Sequence, residues 1–254
     1  MSQRFFMPAD TTAGAVGADR LAELLAAHIS ANAPDAELVR NGSRGAFWLE
    51  PLLEIENGGE RVGFGPVADN ELTEILALAP SDWPSHSRYL GSLDALPWFE
   101  TQQRVTFARS GLGDPLCLEH YLSRHGFDGL ERAVHLPPED IVDEIMRSGL
   151  RGRGGAAFPA GIKLQTVLQT PGRQKYIVCN ADEGDSGTFA DRLLMESDPY
   201  QLIEGMVIAG LAVGATRGYI YLRSEYPRTW SVLHLAIAKA EAAGYLGDSV
   251  CDSD

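Results

Sequence analysis

Pro199–Val213 is a helix-forming stretch carrying Leu202, Ile203, Met206, Val207, Ala209, Gly210 and Val213, and it is apolar nearly all round. A helix without a polar stripe has to be buried. Short apolar runs of strand type flank it, Lys175–Cys179 before and Gly218–Leu222 after. Strand, buried helix and strand make a β-α-β unit, which crosses over right-handed in a parallel sheet. Gly205, Gly210 and Gly214 are placed to allow close packing, and Pro227–Ala243 predicts a further amphipathic helix closed by Gly244. This part of the chain therefore reads as α/β.

Ligands in such a sheet bind outside the C-terminal ends of its strands. The first strand runs directly into Asn180-Ala-Asp-Glu-Gly-Asp-Ser-Gly-Thr-Phe189. Asp182, Glu183 and Asp185 would repel a phosphate, so they suit hydroxyls, ring N–H groups or the amide of a cofactor. Glu225-Tyr226 stands at the other strand's C-terminal edge. Upstream, Arg151-Gly-Arg-Gly-Gly-Ala-Ala-Phe-Pro-Ala-Gly-Ile-Lys163 sets Gly152, Gly154, Gly155 and Gly161 among two arginines and a lysine. Glycine lets backbone N–H groups converge on an anion, and Arg151, Arg153 and Lys163 add positive charge. This reads as a seat for phosphate. It is not a Walker loop, since no Gly-Lys-Ser/Thr follows, and the spacing does not fit G-x-G-x-x-G before a helix. Each loop alone is also readable as a solvated turn. Two loops of opposite character, one helix and one strand apart, favour a ligand site.

The 254 residues carry a net charge of −14, which disfavours nucleic acid and anionic membranes as partners. No apolar run approaches the roughly 18–20 residues of a membrane span, and the N-terminus lacks a signal-peptide core. The expectation is a soluble cytoplasmic protein. Cys117, Cys179 and Cys251 have no CxxC spacing and encode neither a disulfide framework nor a complete metal site. Cys179 reads as a buried strand residue, and His120, His125, His135 and His234 as structural. Catalytic proton donors are absent from this reading.

In the N-terminal part, Arg4–Met7 is a candidate strand, and Asp19–Ala33 repeats Leu21, Leu24, Leu25 and Ile29 at helical spacing. Glu37–Arg40 and Phe47–Glu56 predict strands, the latter broken early by Pro51. Asn57-Gly58 is a hairpin turn with Arg61–Gly65 as the returning strand. Asp69–Leu78 predicts a helix capped by Asp69 or Asn70. Pro80, Pro84 and Pro97, with Trp83 and Trp98, suggest an extended connector packed on a neighbour. Further on, Leu130–Val134 predicts a short turn and Pro138–Arg147 a helix with proline and acids at its start.

Ser148-Gly-Leu-Arg-Gly-Arg-Gly-Gly-Ala-Ala-Phe-Pro-Ala-Gly-Ile-Lys163, Cys179-Asn-Ala-Asp-Glu-Gly-Asp-Ser-Gly-Thr-Phe-Ala-Asp-Arg192, Leu202-Ile-Glu-Gly-Met206 and Arg217-Gly-Tyr-Ile-Tyr221 follow one another in order. Together they resemble the NADH-oxidising flavoprotein family. Its members are the 51-kDa-type subunit of respiratory complex I, the diaphorase subunit of NAD-reducing hydrogenases and the β subunit of NAD-dependent formate dehydrogenases. The resemblance covers roughly residues 105–247. It implies an FMN-binding, Rossmann-like α/β domain over residues 105–254, incomplete at its C-terminus. It further implies that Gly152, Arg153, Gly154, Gly155 and Lys163 line the FMN site, that Asn180, Asp182 and Glu183 hold its other side, and that Phe158 stacks near the nicotinamide nucleotide. Hydride transfer runs between NADH and the flavin, so no residue here is catalytic, and Glu183 and Asp185 are supporting acids. Two departures concern the NADH pose. Leu164-Gln165-Thr166 stand where aromatic residues are common, and Asp185 where glutamate is common.

The order β-α-β-β-β-α at the N-terminus resembles the thioredoxin-like ferredoxin domain accompanying these flavoproteins. Residues 1–80 are thus expected to be a degenerate version without cluster ligands, followed by a connector over 81–104. Residues 1–116 hold no cysteine, and Ser43 occupies the loop where a ligand is expected. With only His28 and His86 as imidazoles, residues 1–100 are expected to bind no iron–sulfur cluster. This fusion resembles formate dehydrogenase β subunits most. The resemblance implies FMN and NAD as cofactors, a [4Fe–4S] cluster only in a missing C-terminal part, and two partners. These are a catalytic subunit with a molybdenum or tungsten cofactor and a small [2Fe–2S] subunit. The alternatives are a diaphorase of an NAD-reducing hydrogenase, an NADH:quinone oxidoreductase subunit, and a cofactor-free assembly scaffold. The sequence does not separate formate, hydrogen and quinone, or molybdenum from tungsten.

Overall fold

The computed structural model describes residues 3–185 and 187–253. The chain is α/β and forms two compact units. The first comprises residues 1–117 together with Leu193–Asp198; the second comprises Leu118–Arg192 and Pro199–Asp254.

The first unit holds β1 (Arg4–Phe6), α1 (Thr11–Ala15), α2 (Ala18–Asn32), β2 (Glu37–Val39), β3 (Leu53–Asn57), β4 (Glu60–Phe64), α3 (Asp69–Ala77), β5 (Tyr89–Gly91) and α4 (Pro97–Glu100). Its sheet runs β2-β1-β3-β4-β5, with β1 and β2 parallel and the other neighbours antiparallel. The Asn57-Gly58 signal is fulfilled: Asn57 pairs with Glu60 across Gly58-Gly59, both at positive φ. Strand alternation divides β3 between two environments. Leu53 and Ile55 enter the core with Leu21, Leu25, Phe64 and Ile75, while Glu54 is buried on the opposite face.

Residues 47–49 make a 3-10 turn, so the expected strand over Phe47–Glu56 is confined to β3. Ala68, not Asp69 or Asn70, is the N-cap of α3, and the Glu71 carboxylate accepts its backbone N–H at 2.9 Å. Residues 81–104, expected as a connector, supply β5 and bury Trp83 edge-on to Phe64. The sequence shows prolines and tryptophans there; Trp98 is exposed, and burial of Trp83 against the sheet makes the segment part of the unit.

The loop around Ser43 is filled by polar groups. Ser43 donates to the Glu50 carboxylate at 2.7 Å, and the Leu52 N–H donates to its other oxygen at 3.0 Å. Arg44 grips buried Glu54 through two nitrogens and also reaches Asp94. Arg61 donates to Glu54 and to the Gly111 carbonyl, with its guanidinium 3.6 Å above the Phe6 ring. Leu193–Asp198 is part of the same unit: the Glu196 carboxylate accepts the N–H and hydroxyl of Thr11, and Arg109 pairs with Asp198 at 2.8 Å. At Gly42 a Cβ would stand 2.7 Å from the Ser197 Cα, so only glycine fits.

The second unit holds α5 (Leu118–Leu122), α6 (Asp128–Ala133), α7 (Pro138–Ser148), α8 (Ala160–Gln169), β6 (Tyr176–Ala181), α9 (Ala190–Ser197, shared with the first unit), α10 (Pro199–Val213), β7 (Arg217–Leu222) and α11 (Pro227–Ala242). The strands pair in parallel as expected, Tyr176 with Arg217 through Ala181 with Leu222. Residues 130–133 are helical in α6 and only Val134 is a turn, since Glu204 from α10 accepts the N–H groups of Phe127 and Leu130 at the start of the helix. Two expectations for the β-α-β unit are corrected. Ile177 packs into the core of α7, α8 and α10, but Tyr176, Val178, Tyr219 and Tyr221 are exposed on the other sheet face. In α10, Gly210 packs near Ile177, whereas Gly205 is exposed and Gly214 ends the helix at φ +72°.

Candidate functional site

Met146 sets how closely α8 approaches α7. A Cβ on Gly161 would stand 2.8 Å from the backbone of Met146, so this glycine lets α7 and α8 meet at close range. Leu164, Val167 and Leu168 then face the shared core with Ile141, Ile177 and Val213. Leu164, at a position where the family commonly carries an aromatic residue, thus packs against the core. Lys175 from the start of β6 donates to the Leu168 carbonyl at the end of α8. The end of α8 is thereby tied to the start of β6.

The loop before α8 is closed at its base. Gly152 N–H donates to the Phe158 carbonyl at 2.9 Å, Ala160 N–H to the Leu150 carbonyl at 2.8 Å, and the Arg151 guanidinium to the Ala157 carbonyl at 3.0 Å. Between these ties Arg153, Gly154 and Gly155 are exposed. Gly155 has φ +97°, and an added Cβ at Gly154 or Gly155 would meet nothing within 4 Å. The loop is a backbone cradle with open space on its glycine side. Phe158 is half-exposed beside it, and exposed Lys163 projects from the first turn of α8, whose N-terminus adds positive potential.

The loop after β6 is polar and internally braced. Asn180 accepts the Asp182 N–H at 3.2 Å through its side chain. Asp182 and Asp185 are exposed; Ser186 lies outside the described residues. Glu183 differs from its neighbours. It has φ +42°, and its carboxylate accepts the N–H groups of Asp191 (2.7 Å) and Arg192 (3.0 Å) and the hydroxyl of Tyr226 (3.0 Å). Its carbonyl accepts from Arg223 at 2.9 Å. Arg192 covers the Phe189 ring at 4.2 Å. Burial, then the charge of Glu183, raises the Asp191 carboxyl above its ordinary range. Burial, then Asp191, raises the Cys179 thiol. Burial, then its bond to Glu183, raises the Tyr226 hydroxyl.

The structure thus gathers Gly152, Arg153, Gly154, Gly155, Phe158 and Lys163 on one loop-helix corner, and Asn180, Asp182, Glu183 and Asp185 at the C-terminal end of β6 and on the loop that follows it. Sequence reading placed Glu225-Tyr226 at this edge but missed Arg223, whose signal was its position one residue beyond β7. A cavity of about 320 Å³ lined by Glu131, His135, Tyr245 and Cys251 includes residues of neither loop.

Comparison with known proteins finds a family match over the segment that carries both loops. Residues 145–252, which contain both loops, match the Complex1_51K family, the Nuo51 FMN-binding domain. This segment belongs to that family. The NADP-reducing hydrogenase subunit HndC of Solidesulfovibrio fructosivorans is 45% identical over 152 residues, covering 60% of this chain and 31% of the relative. An NADH-quinone oxidoreductase subunit of Aquifex aeolicus is 46% identical over 164 residues, covering 64% of this chain and 38% of that protein. Its Escherichia coli namesake is 44% identical over 138 residues, covering 54% and 31%. The chain spans about a third of the length of these relatives. A crystal structure of an NAD+-reducing [NiFe]-hydrogenase aligns with 95% of this chain and 41% of its own, at 23% identity and a TM-score of 0.44.

Proposed function

We propose that this chain is the part of a diaphorase-type subunit that holds FMN and receives NAD(H). The observation carrying this reading is the cradle at Gly154 and Gly155, open on its glycine side at the N-terminus of a helix bearing Lys163. A flavin phosphate suits that corner, because an open glycine loop, a helix N-terminus and a cation stand there together. Gly152, Arg153, Gly154, Gly155 and Lys163 line the flavin side, Asn180, Asp182, Glu183 and Asp185 the facing side, and Phe158 offers a ring to the nicotinamide nucleotide. The bound flavin supplies hydride chemistry at N5. The chain's own residues bind, orient and exclude water.

The finer reading is an NAD-dependent formate dehydrogenase, with electrons exchanged through iron–sulfur clusters with a molybdenum- or tungsten-containing subunit and a small [2Fe–2S] subunit. Residues 1–116, cysteine-free and with a thioredoxin-like strand order, support it. The hydrogenase reading has its own support in the 45% identity to HndC. Co-purification of the whole subunit with its partners, followed by metal analysis, separates them: Mo or W against Ni. NADH:ferricyanide activity and bound flavin test the shared claim, and absence of both in the whole subunit would return the chain to the scaffold reading.

A further inference from the structure

We infer that Arg223 is a positioning residue for the nicotinamide nucleotide, acting by locking Glu183 in its left-handed conformation; this rests on the reading of the site proposed above. A non-glycine residue at positive φ persists only where its surroundings over-determine it. Glu183 is held at both ends. Its carboxylate has three donors, the backbone N–H groups of Asp191 and Arg192 and the hydroxyl of Tyr226. Those bonds fix where the side chain goes but leave the peptide plane after Glu183 free to turn. The Arg223 guanidinium closes that freedom by donating to the Glu183 carbonyl at 2.9 Å.

Arg223 is itself anchored. Its N–H extends the β6–β7 ladder by donating to the Ala181 carbonyl at 3.2 Å. Its Nε lies 3.3 Å from a Glu225 oxygen, and its guanidinium stands 5.7 Å from the centre of the Tyr226 ring. The end of one strand thus holds the loop that follows the other, and through it the direction in which exposed Asp182 and Asp185 point. The glycine cradle before α8 makes none of these bonds. Loss of Arg223 should therefore disturb what meets the acidic loop and leave flavin retention intact.

The test compares Arg223→Met and Arg223→Lys in the whole subunit purified with its partners. Flavin content, Tm, and kcat and KM for NADH with ferricyanide are read together. Arg223→Met should retain flavin and Tm while KM rises about tenfold or more, the size expected when a charge-assisted bond is lost. Lysine, which keeps one donor, should restore most of that loss. Tyr226→Phe removes one of the carboxylate's donors, keeps the ring, and should raise KM in the same direction. If Arg223→Met leaves KM unchanged, the inference is wrong while the flavin reading stands. If flavin and Tm fall and KM rises together in both Arg223 variants, or Arg223→Met does not fold and Tyr226→Phe leaves KM unchanged, the role is structural and the inference is also wrong. A wild-type subunit that neither holds flavin nor oxidises NADH overturns the functional reading instead.

Discussion

Glu50 makes the first unit's stability depend on pH in an unusual direction. Its carboxyl is buried, and burial pushes its pKa from the ordinary 4.5 up to about 8, with the nearby charges of Asp10 and Glu54 adding to the shift and the Ser43 hydroxyl and Leu52 N–H opposing it. A carboxyl raised in the folded state is stabilising below its unfolded value, and that contribution is lost as pH rises through its folded value. At about 1.4 kcal/mol for each pH unit, the interval from 4.5 to about 8 amounts to about 5 kcal/mol. Asp10, raised chiefly by burial, acts in the same direction. With a urea slope of about 2–3 kcal/mol/M, the loss moves the unfolding midpoint by about 2 M. Trp48, Trp83 and Trp98 belong to this unit and Trp230 to the other, so tryptophan fluorescence in urea weights the relevant transition. Between pH 5 and 9 the wild-type midpoint should fall. Glu50→Gln, isosteric and uncharged, should show a much flatter profile: equal or slightly less stable at pH 5, and more stable at pH 9. A difference between wild type and variant that stays constant with pH would refute the reasoning.

Lys163→Ala should weaken flavin retention by about 1.5–3 kcal/mol, the worth of a charge-assisted contact to a phosphate or reduced flavin, read as flavin lost on dialysis of the whole subunit. Gly161→Ala should lower the second unit's Tm through its clash with Met146, a loss of about 1–3 kcal/mol, which circular dichroism would register. Glu54→Gln removes the anion shared by Arg44 and Arg61 and should cost about 3–5 kcal/mol in chemical denaturation, since Arg61 loses its buried partner and Arg44 keeps only Asp94.

Local signals made much of the fold legible. The stripe of Leu21, Leu25 and Ile29, the Asn57-Gly58 turn and the apolar helix between two strand-type runs each depend on neighbours in sequence, and all three elements form. Partners distant in sequence were not legible. Leu193–Asp198 belongs to the first unit because Thr11, Arg109 and Ser110 meet it from more than eighty residues away. β5 was hidden because its three residues carry no alternation, and its pairing depends on Gly63 and Phe64. In the site, the glycine loop could be read from composition, since backbone exposure is what glycine confers. The bracing of Glu183 could not, because its positive φ depends on a guanidinium forty residues further along.

The central claim is that the Gly152–Lys163 corner holds a flavin phosphate, and Gly155→Val tests it most directly. Gly155 combines φ +97° with open space where a Cβ would go, so a branched side chain both strains the backbone and enters the cofactor's volume. The loop is exposed, so the subunit should still fold. The account predicts a folded variant that carries no flavin absorbance and does not reduce ferricyanide with NADH, beside a wild type that does both. A Gly155→Val subunit that binds FMN and oxidises NADH at the wild-type rate would contradict it.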